Sequence, residues 1–372
     1  MVDFPQYTDA FIVGGGPAGL ATAIALRGRG FSVTVADPAE PPIDKTCGEG
    51  LMPDTLVALA CLGVELPREH CYPYRGIRFI GGHTSVDASF PKGTGLGIRR
   101  THLHQALIHR AEEVGATLRW GSAVKGLSGK NLVVGDRTVE CRWVIGADGE
   151  NSRVRRWAGL DRAPRSSVRY GFRRHFSVSP WTDCVEIYWG PRCQIYVTPI
   201  GPQEMCVVLM SRDPHLRLEH VRAMFPELFD NLRNAHPTTL ERGAVSATRR
   251  LARVSRGNVF LVGDASGSVD AITGEGLRLG FEQAMALAEA LVHRDTQVYA
   301  AAHRRLARRP AFMARLMLTM DHSDWLRRRV LNSMASEPRI FARQLAMHVG
   351  ASTITDFVCG SMLPLGLRIL TA

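Results

Sequence analysis

The chain has 372 residues, of which 45% are hydrophobic and 22% charged, with a net charge of +11. This composition excludes a disordered or collagen-like chain and is typical of a globular protein large enough for two joined domains. The sequence contains no run of about twenty apolar residues and no basic leader before an apolar stretch. We therefore expect a cytoplasmic protein.

The basic excess is concentrated late in the chain, where residues 291 onward contain 12 Arg against 5 Asp and Glu. Such a segment attracts nucleic acid, anionic lipid or an acidic partner, although a solvated helical face explains it as well. No recognisable nucleic-acid motif and no zinc-ligand spacing accompany it. We therefore predict no nucleic-acid partner and no metal, while peripheral membrane contact through the C-terminal segment stays open.

The first motif is a short apolar run, Phe11 to Val13, followed by glycines spaced Gly-x-Gly-x-x-Gly and by helical periodicity. These glycines permit a tight turn, close approach of a pyrophosphate and close packing of the helix, with the anion at the helix N-terminus. Asp37 follows a second strand, where an acidic residue meets a ribose hydroxyl and favours FAD or NAD over NADP. The predicted cofactor residues in this motif are Gly14, Gly16, Pro17, Ala18, Gly19 and Asp37.

A proline-rich stretch then leads into the loop that contains Cys47, Gly48 and Glu49. Flanking glycines make this loop flexible, and Pro53 opens a helix that should end before Gly63. The loop either lines the cofactor site or is a structural turn with a buried thiol.

Two further segments complete the first half of the chain. Residues 76–90 alternate like a β-hairpin, and Thr101 is placed to cap a helix that should end near Gly115. The alternation of strands and helices up to residues 143–149 predicts a parallel sheet.

From residue 168 to 211, short strands follow one another without helices, which indicates an antiparallel sheet. We predict a single helix over Leu218 to Asn234 and a strand over Gly243 to Leu251 that returns to the first domain. The predicted fold class is α/β: a Rossmann-like FAD-binding domain with an inserted antiparallel-sheet substrate domain and a C-terminal helical tail. The predicted ranges are 1–75, 97–165 and 245–310 for the first, 76–96 and 166–244 for the second, and 311–372 for the third.

A third motif places Gly263 and Asp264 after a buried strand, and Gly274-Glu275-Gly276 before a long helix from Leu277 to His293. Asp264 can hold a sugar-alcohol chain, while amides at the helix start face a bound anion. The apolar tail, predicted to be helical from Pro310, contains half of the methionines. Packing onto the other domains explains it better than a lipid-facing lid.

Together these motifs resemble the FAD-dependent oxidoreductases that include aromatic hydroxylases, the class A flavoprotein monooxygenases, and geranylgeranyl reductases. The resemblance spans roughly residues 8 to 295 and includes Gly146-Ala147-Asp148-Gly149, which is similar to the Asp-Gly motif of the family. It implies that FAD is the cofactor. The residues that it places at FAD are the Gly14–Gly19 turn, Asp37, Cys47, Gly48, Arg100, Asp148, Gly263, Asp264, Gly274, Glu275, Gly276 and Leu277.

The resemblance implies two functions. A monooxygenase would hydroxylate a lipophilic phenol or polyketide with NADH or NADPH as a transient donor, and a reductase would reduce carbon–carbon double bonds of an isoprenoid or polyketide. The loop around Cys47 is similar to the cysteine loop of the reductases. Their aromatic-rich motif, however, appears here only as Tyr196-Val197-Thr198-Pro199, and Ala271 replaces the proline of the third motif. We favour the monooxygenase, with Cys47, Glu49 and Tyr196 as catalytic candidates and His175, Tyr188 and Trp189 as further pocket groups. The sequence does not predict the oligomeric state.

Overall fold

The computed structural model describes residues 6–362 and residue 366, and their strands form two large sheets and one small one. The first strands are β1 (Tyr7–Val13), β2 (Val33–Ala36), β3 (Gly50–Leu51), β4 (Cys71–Tyr74), β5 (Gly76–Gly81), β6 (Thr84–Ser89), β7 (Gly95–Ile98), β8 (Thr117–Arg119), β9 (Val124–Ser128), β10 (Asn131–Val134) and β11 (Arg137–Gly146). They are followed by β12 (Ser166–Ser177), β13 (Cys184–Gly190), β14 (Cys193–Gly201), β15 (Glu204–Ser211), β16 (His236–Pro237), β17 (Arg242–Thr248), β18 (Ser255–Arg256) and β19 (Val259–Leu261).

Helices connect and cover these sheets. The α-helices are α1 (Pro17–Arg27), α2 (Pro53–Cys61), α3 (Arg100–Glu113), α4 (Arg153–Trp157), α5 (Pro226–Asn231), α6 (Gly276–Val292), α7 (Thr296–His322), α8 (Asp324–Ser336), α9 (Pro338–His348) and α10 (Ile354–Phe357). Short 3-10 turns occupy Arg68–His70, Leu218–Met224, Gly263–Ser266 and Ala271–Thr273, and a π-helical turn occupies Val358–Met362.

The first large sheet, called here the nucleotide sheet, has the parallel order β19-β11-β1-β2-β8. Helices α1, α3 and α6 pack together on one face, over a core that includes Ile12, Leu20 and Phe281. Strand β1 pairs with β2, the next strand along the chain, on one side and with β11 on the other. A strand-order reversal of this kind opens a crevice at the carboxyl ends of the strands.

The second large sheet, called here the inserted sheet, has the order β16-β12-β15-β14-β13-β5-β6 with β17 paired to β12. Its pairings are antiparallel except for β13 with β5. The α/β fold with an inserted antiparallel sheet is therefore confirmed, and the hairpin of residues 76–90 forms the edge of that sheet. The exact domain boundaries remain our proposal.

The two faces of the inserted sheet have different partners. Its outer face, with Ile195 and Val207, packs against the segment that contains α5. One end of its inner face packs against α7, α8 and α9, where the ring centroids of Phe341 and Phe79 are 4.5 Å apart. The buried methionines of these helices, Met313, Met317, Met320, Met334 and Met347, belong to this contact.

Within residues 6–362, no helix combines the length and the apolar character needed to cross a membrane. The end of the predicted C-terminal segment, residues 363–365 and 367–372, lies outside the described residues.

Three predicted helix boundaries are wrong. The single helix predicted for Leu218–Asn234 is a 3-10 turn followed by α5, because Pro226 disfavours helical backbone at the residue before it. Helix α3 is preceded by Arg99 as its N-cap, so Thr101 is already helical. The C-terminal helix begins at Thr296 and continues through Pro310, which is buried inside α7.

Candidate functional site

The glycine turn after β1 is shaped for close backbone approach. A Cβ atom at Gly19 would lie 1.9 Å from the Gly14 carbonyl oxygen, whereas a Cβ atom at Gly16 would meet no atom within 4 Å. Gly14 itself adopts a φ of +111°. Helix α1 starts at Pro17 without a side-chain cap, so its first amides point towards the open side of Gly16.

Two side chains hold this turn in place. The Asp37 carboxylate accepts a hydrogen bond from the Gly15 amide at 2.7 Å. His104 Nε2 lies 2.8 Å from the Gly15 carbonyl oxygen, and burial lowers the pKa of this imidazole. Sequence reasoning predicted Asp37 at the turn and missed His104, whose only signal was its position one turn after Arg100 in α3.

The second motif forms a short capped helix. Asp148 accepts hydrogen bonds from the amides of Arg153 at 2.6 Å and Val154 at 3.2 Å, and from the Ser152 hydroxyl. Its carboxylate therefore caps the first turn of α4. A direct contact of Asp148 with a cofactor stays a prediction.

The third motif forms the opposite side of the crevice. Gly263 packs close to Ala18 of α1, and the Asp264 side chain is exposed, with the charges of Glu150, Arg100 and Lys45 near enough to act on it. Gly274 has a φ of +67°. Cβ atoms at Gly274 and Gly276 would meet nothing within 4 Å, and Leu277 follows in the first turn of α6.

The loop of residues 44–50, called here the cysteine loop, lies between the crevice and the inserted sheet. Cys47 is half-buried, Gly48 has open space at its Cβ position, and Glu49 adopts a φ of +59° with its side chain buried. Positive φ is strained for a non-glycine residue, so the contacts of the Glu49 side chain must offset that strain.

Those contacts bring β12 to the cysteine loop. Glu49 Oε1 accepts hydrogen bonds from the Arg100 amide at 2.9 Å and from Arg173 Nη1 at 3.1 Å, while Oε2 lies 2.6 Å from His175 Nε2. Arg173 also pairs with Asp44 through two contacts of 2.8 Å. These four side chains, Asp44, Glu49, Arg173 and His175, are called here the Glu49 cluster.

Cys206 extends this cluster on β15, directly opposite His175 in the strand register. Ligand-type atoms of Glu49, His175 and Cys206 lie within 4.8 Å of one another, a spacing that a metal ion could bridge. However, Arg173 already compensates the Glu49 charge, and burial raises the pKa of the Cys206 thiol well above its usual range. The geometry is that of a hydrogen-bonded ion pair with a neutral thiol beside it.

The inner face of the inserted sheet supplies an apolar wall next to this cluster. Val208 and Met210 of β15 lie there, and Tyr196 of β14 is directly opposite Val208. The Tyr196 hydroxyl donates to the Ile272 carbonyl at 3.0 Å, which ties the wall to the loop before Gly274. Burial raises the pKa of Tyr196, so its hydroxyl stays protonated.

The structure separates the remaining pocket candidates. His175 joins Cys47 and Glu49 as described. Tyr188 lies on the outer face, where its hydroxyl donates to Glu186 at 2.8 Å and its ring packs against Phe225, so its prediction as a pocket group is wrong. Trp189 packs against Phe79 in the core beneath the C-terminal helices.

Glu275 lies in a second buried ion cluster, called here the Glu275 cluster and formed by Asp54, Glu275, Arg278, Arg309 and His348. Glu275 Oε1 accepts a hydrogen bond from Arg278 Nη2 at 2.8 Å, and Asp54 Oδ2 accepts one from Arg309 Nη2 at 2.6 Å. His348 Nδ1 lies 3.5 Å from Glu275 Oε2. No local sequence pattern indicates that α2, α6, α7 and α9 meet in this way.

The crevice fits FAD. Space is open beside Gly16, Gly48, Gly274 and Gly276, which lie on three separate loops around it. The buried Nε of Arg100, at the start of α3, has no hydrogen-bond partner, as expected for a donor that serves a ligand.

Comparison with known proteins agrees with this geometry. Residues 7–299 match the family described as FAD binding domain. The chain is 31% identical over 319 residues to the menaquinone reductase of Mycobacterium tuberculosis, covering 77% of each protein. It is 28% identical over 324 residues to the 3-demethoxyubiquinol 3-hydroxylase of Escherichia coli, covering 77% of this chain and 80% of the relative.

The fold is similar to that of a solved flavoprotein/dehydrogenase from Cytophaga hutchinsonii, with a TM-score of 0.83, 17% identity, and coverage of 98% of this chain and 100% of the other. The expected resemblance to flavin-dependent hydroxylases and reductases is confirmed. The chain belongs to the FAD-binding domain family and is an FAD-dependent oxidoreductase.

Proposed function

We propose that the protein is a monooxygenase that hydroxylates a lipophilic phenol or polyketide-type ring, with NADH or NADPH as the electron donor. The observation that carries this proposal is the apolar wall of Val208, Met210 and Tyr196, which faces the loop before α6. An apolar pocket with few polar groups is typical of a site for a lipophilic ring. The similarity to a hydroxylase of a demethoxyubiquinol supports the same substrate class.

The reaction balances with the components named. A ring C–H, O₂, NAD(P)H and one proton give a ring C–OH, NAD(P)⁺ and water. When bound, FAD supplies the electron transfer from the donor to oxygen. The protein would hold FAD at the three glycine loops, exclude water with the apolar wall and orient the ring.

Individual side chains have distinct roles in this proposal. Arg100, through its free Nε, and Asp264 would bind the cofactor, and amides at Gly274 to Leu277 would stabilise negative charge at the helix start. Tyr196 would orient the wall over the loop, because its hydroxyl already donates to Ile272. Cys47, which is half-buried beside the open space at Gly48, would face the space that the substrate occupies in this proposal.

A second candidate function is the reduction of a carbon–carbon double bond, in which NAD(P)H and a proton add two hydrogens to the substrate. The position of Cys47 favours it, because a half-buried thiol at the cofactor crevice can take part in proton delivery. The 31% identity with a menaquinone reductase supports it as well.

One experiment separates the two functions. The FAD-loaded protein is incubated with NADH or NADPH under oxygen-18 gas, with a long-chain alkylresorcinol or menaquinone as the probe. Mass spectrometry of the product should show one oxygen-18 atom added to the phenol. A menaquinone product that keeps two added hydrogens in its isoprenoid side chain after the ring is reoxidised would establish the reductase instead, and unchanged probes with a fully loaded protein would contradict the proposed substrate class.

Cys47→Ala adds a second comparison, with Cys61→Ala as its control because Cys61 is an exposed thiol on α2. For the monooxygenase we expect Cys47→Ala to retain FAD and hydroxylation. For the reductase it should retain FAD and lose turnover, while Cys61→Ala should behave as the wild type in both cases.

A further inference from the structure

A continuous line of hydrogen-bonding groups leads from the protein surface to the cysteine loop. The half-buried Thr239 places its Oγ1 3.0 Å from His175 Nδ1. His175 Nε2 in turn lies 2.6 Å from Glu49 Oε2. His175 and Glu49 are each only 2% exposed, so this line is their connection to the solvent side.

The tautomer of His175 sets the direction of the line. The amide of His175 donates to Thr239 Oγ1 at 3.3 Å, which uses one of the two lone pairs of that oxygen. With the ring hydrogen on Nε2, the Thr239 hydroxyl donates to His175 Nδ1 and Nε2 donates to Glu49 Oε2. In that tautomer every hydrogen points from the surface towards the carboxylate.

The carboxylate is held so that one oxygen serves this line. Glu49 Oε1 is occupied by the Arg100 amide and by Arg173, and neither donor gives up its proton at ordinary pH. Oε2 is left for His175. On the inner side, the Glu49 amide donates to Cys47 Sγ at 3.4 Å, so the same residue fixes the thiol of the cysteine loop.

The charged groups around the line are paired with one another. Arg173 and Arg242 pair with Asp44 on one side, and Arg99 pairs with Glu204 on the other.

We propose that Thr239, His175 and Glu49 form a proton relay between bulk water and the cysteine loop. The inference rests on the proposed function for its purpose, because hydroxylation and double-bond reduction each consume one proton. A proton arrives at Nδ1 of His175 through Thr239, and the proton on Nε2 passes to Glu49 Oε2, so the relay ends on the buried carboxylate of the cysteine loop. Thr239 and His175 position and transfer this proton and do not contact the substrate.

The test measures proton exchange without turnover, so a wrong substrate class cannot affect it. In nitrogen-15-labelled, FAD-loaded protein, the exchange of the His175 imidazole proton with water is measured by NMR, and the signal is assigned by its loss in His175→Gln. Thr239→Val removes the hydroxyl while keeping the side-chain shape. We expect it to slow the exchange about tenfold or more, since transfer through a positioned group contributes about 10²- to 10⁴-fold to proton-transfer rates.

Two matched variants complete the test. Thr239→Ser restores the hydroxyl and should restore the wild-type exchange rate. Thr238→Val removes the neighbouring hydroxyl, which donates to Glu204, and should leave the rate unchanged. Wild-type exchange in Thr239→Val, or equal slowing in Thr238→Val, would overturn the relay.

Discussion

The chain contains two Gly-Glu-Gly segments at the cofactor crevice, Gly48-Glu49-Gly50 and Gly274-Glu275-Gly276, and both bury the glutamate almost completely. Glu49 adopts a left-handed backbone, and both of its carboxylate oxygens are hydrogen-bonded. Glu275 is the N-cap of α6 with a φ of −93°, and its Oε2 has no hydrogen-bond partner.

The difference shows what each segment does. In the Glu49 cluster both carboxylate oxygens of Glu49 are hydrogen-bonded, and the cluster joins the cysteine loop to the inserted sheet. In the Glu275 cluster, Asp54 Oδ1 and His348 Nδ1 are also buried without a hydrogen bond. Burial raises the pKa of Glu275 and Asp54 and lowers that of His348 to about 4. This second cluster joins the C-terminal helices to the loop before α6, and it contains three groups whose pKa is shifted by burial.

The largest expected effect is the loss of Arg173, which would leave the buried Glu49 without its cation and would leave the half-buried Asp44 with Arg242 alone. Breaking a buried ion pair in this way destabilises a protein by about 3–5 kcal/mol. We therefore expect Arg173→Met to lower the free energy of unfolding, measured by urea titration, by that amount.

Arg242→Met is the matched control, because Arg242 pairs with the same Asp44 at 2.8 Å but is 55% exposed. An exposed pair contributes about 0–1 kcal/mol. If the two variants had equal stability, burial of the Glu49 cluster would not be the reason for its contribution.

The second prediction concerns His348 and acid. Its folded-state pKa of about 4 lies below the value of about 6.5 in an unfolded chain, so the imidazole contributes equally in both states above pH 6.5. As the pH falls from 6.5 towards 4, the unfolded chain takes up a proton that the folded protein does not, and stability is lost. Between pH 6.5 and 4.5 this loss is about 2–3 kcal/mol.

His348→Gln should therefore lose about 2–3 kcal/mol less than the wild type over this pH interval in urea titrations. Glu275 and Asp54 act in the opposite sense, because their raised pKa values favour the folded state as the pH falls, and they are present in both proteins. Arg278 and Arg309 keep their charge throughout. His109→Gln, which changes an exposed histidine, is the control, and parallel curves for wild type and His348→Gln would contradict the prediction.

A smaller effect compares the two glutamates directly. Glu49→Gln weakens charge-assisted hydrogen bonds to Arg173 and His175, which contribute about 1.5–3 kcal/mol. Glu275→Gln removes a carboxylate whose Oε2 accepts no hydrogen bond, so its unfolding free energy should fall by about 1 kcal/mol less than that of Glu49→Gln. The opposite order at pH 7 would show that the hydrogen-bond count does not rank the two clusters.

Much of the fold could be predicted because its signals are local. The glycine turn after β1 and the glycine loop before α6 are encoded by neighbouring residues, and Asp37 lies where the strand-end rule places it. Short strands without helices between them predicted the inserted sheet. The break before Pro226 also has a local cause, because proline disfavours helical backbone at the residue that precedes it.

The clusters could not be predicted, because their members come together only through tertiary packing. Glu49 and Arg173 are 124 positions apart in the sequence. Glu275 contacts His348 only because α9 packs near the start of α6 in the folded protein. Tyr188 and Tyr196 look alike as strand aromatics, yet alternation along different strands sends them to opposite faces.

The smallest stability effect tests the glycines beside these glutamates. A Cβ atom at Gly48 meets nothing within 4 Å and its φ is not positive, so Gly48→Ala should change the unfolding free energy by less than about 0.5 kcal/mol. Gly274→Ala meets open space too, but its φ of +67° should cost about 1 kcal/mol or more. Both added methyl groups would enter the space that we assign to FAD, so both should weaken FAD binding, measured by quenching of flavin fluorescence. Unchanged FAD affinity in Gly48→Ala would show that the cysteine loop does not line the FAD site. Weaker FAD binding at unchanged stability would show that Glu49 and the proton relay lie beside FAD.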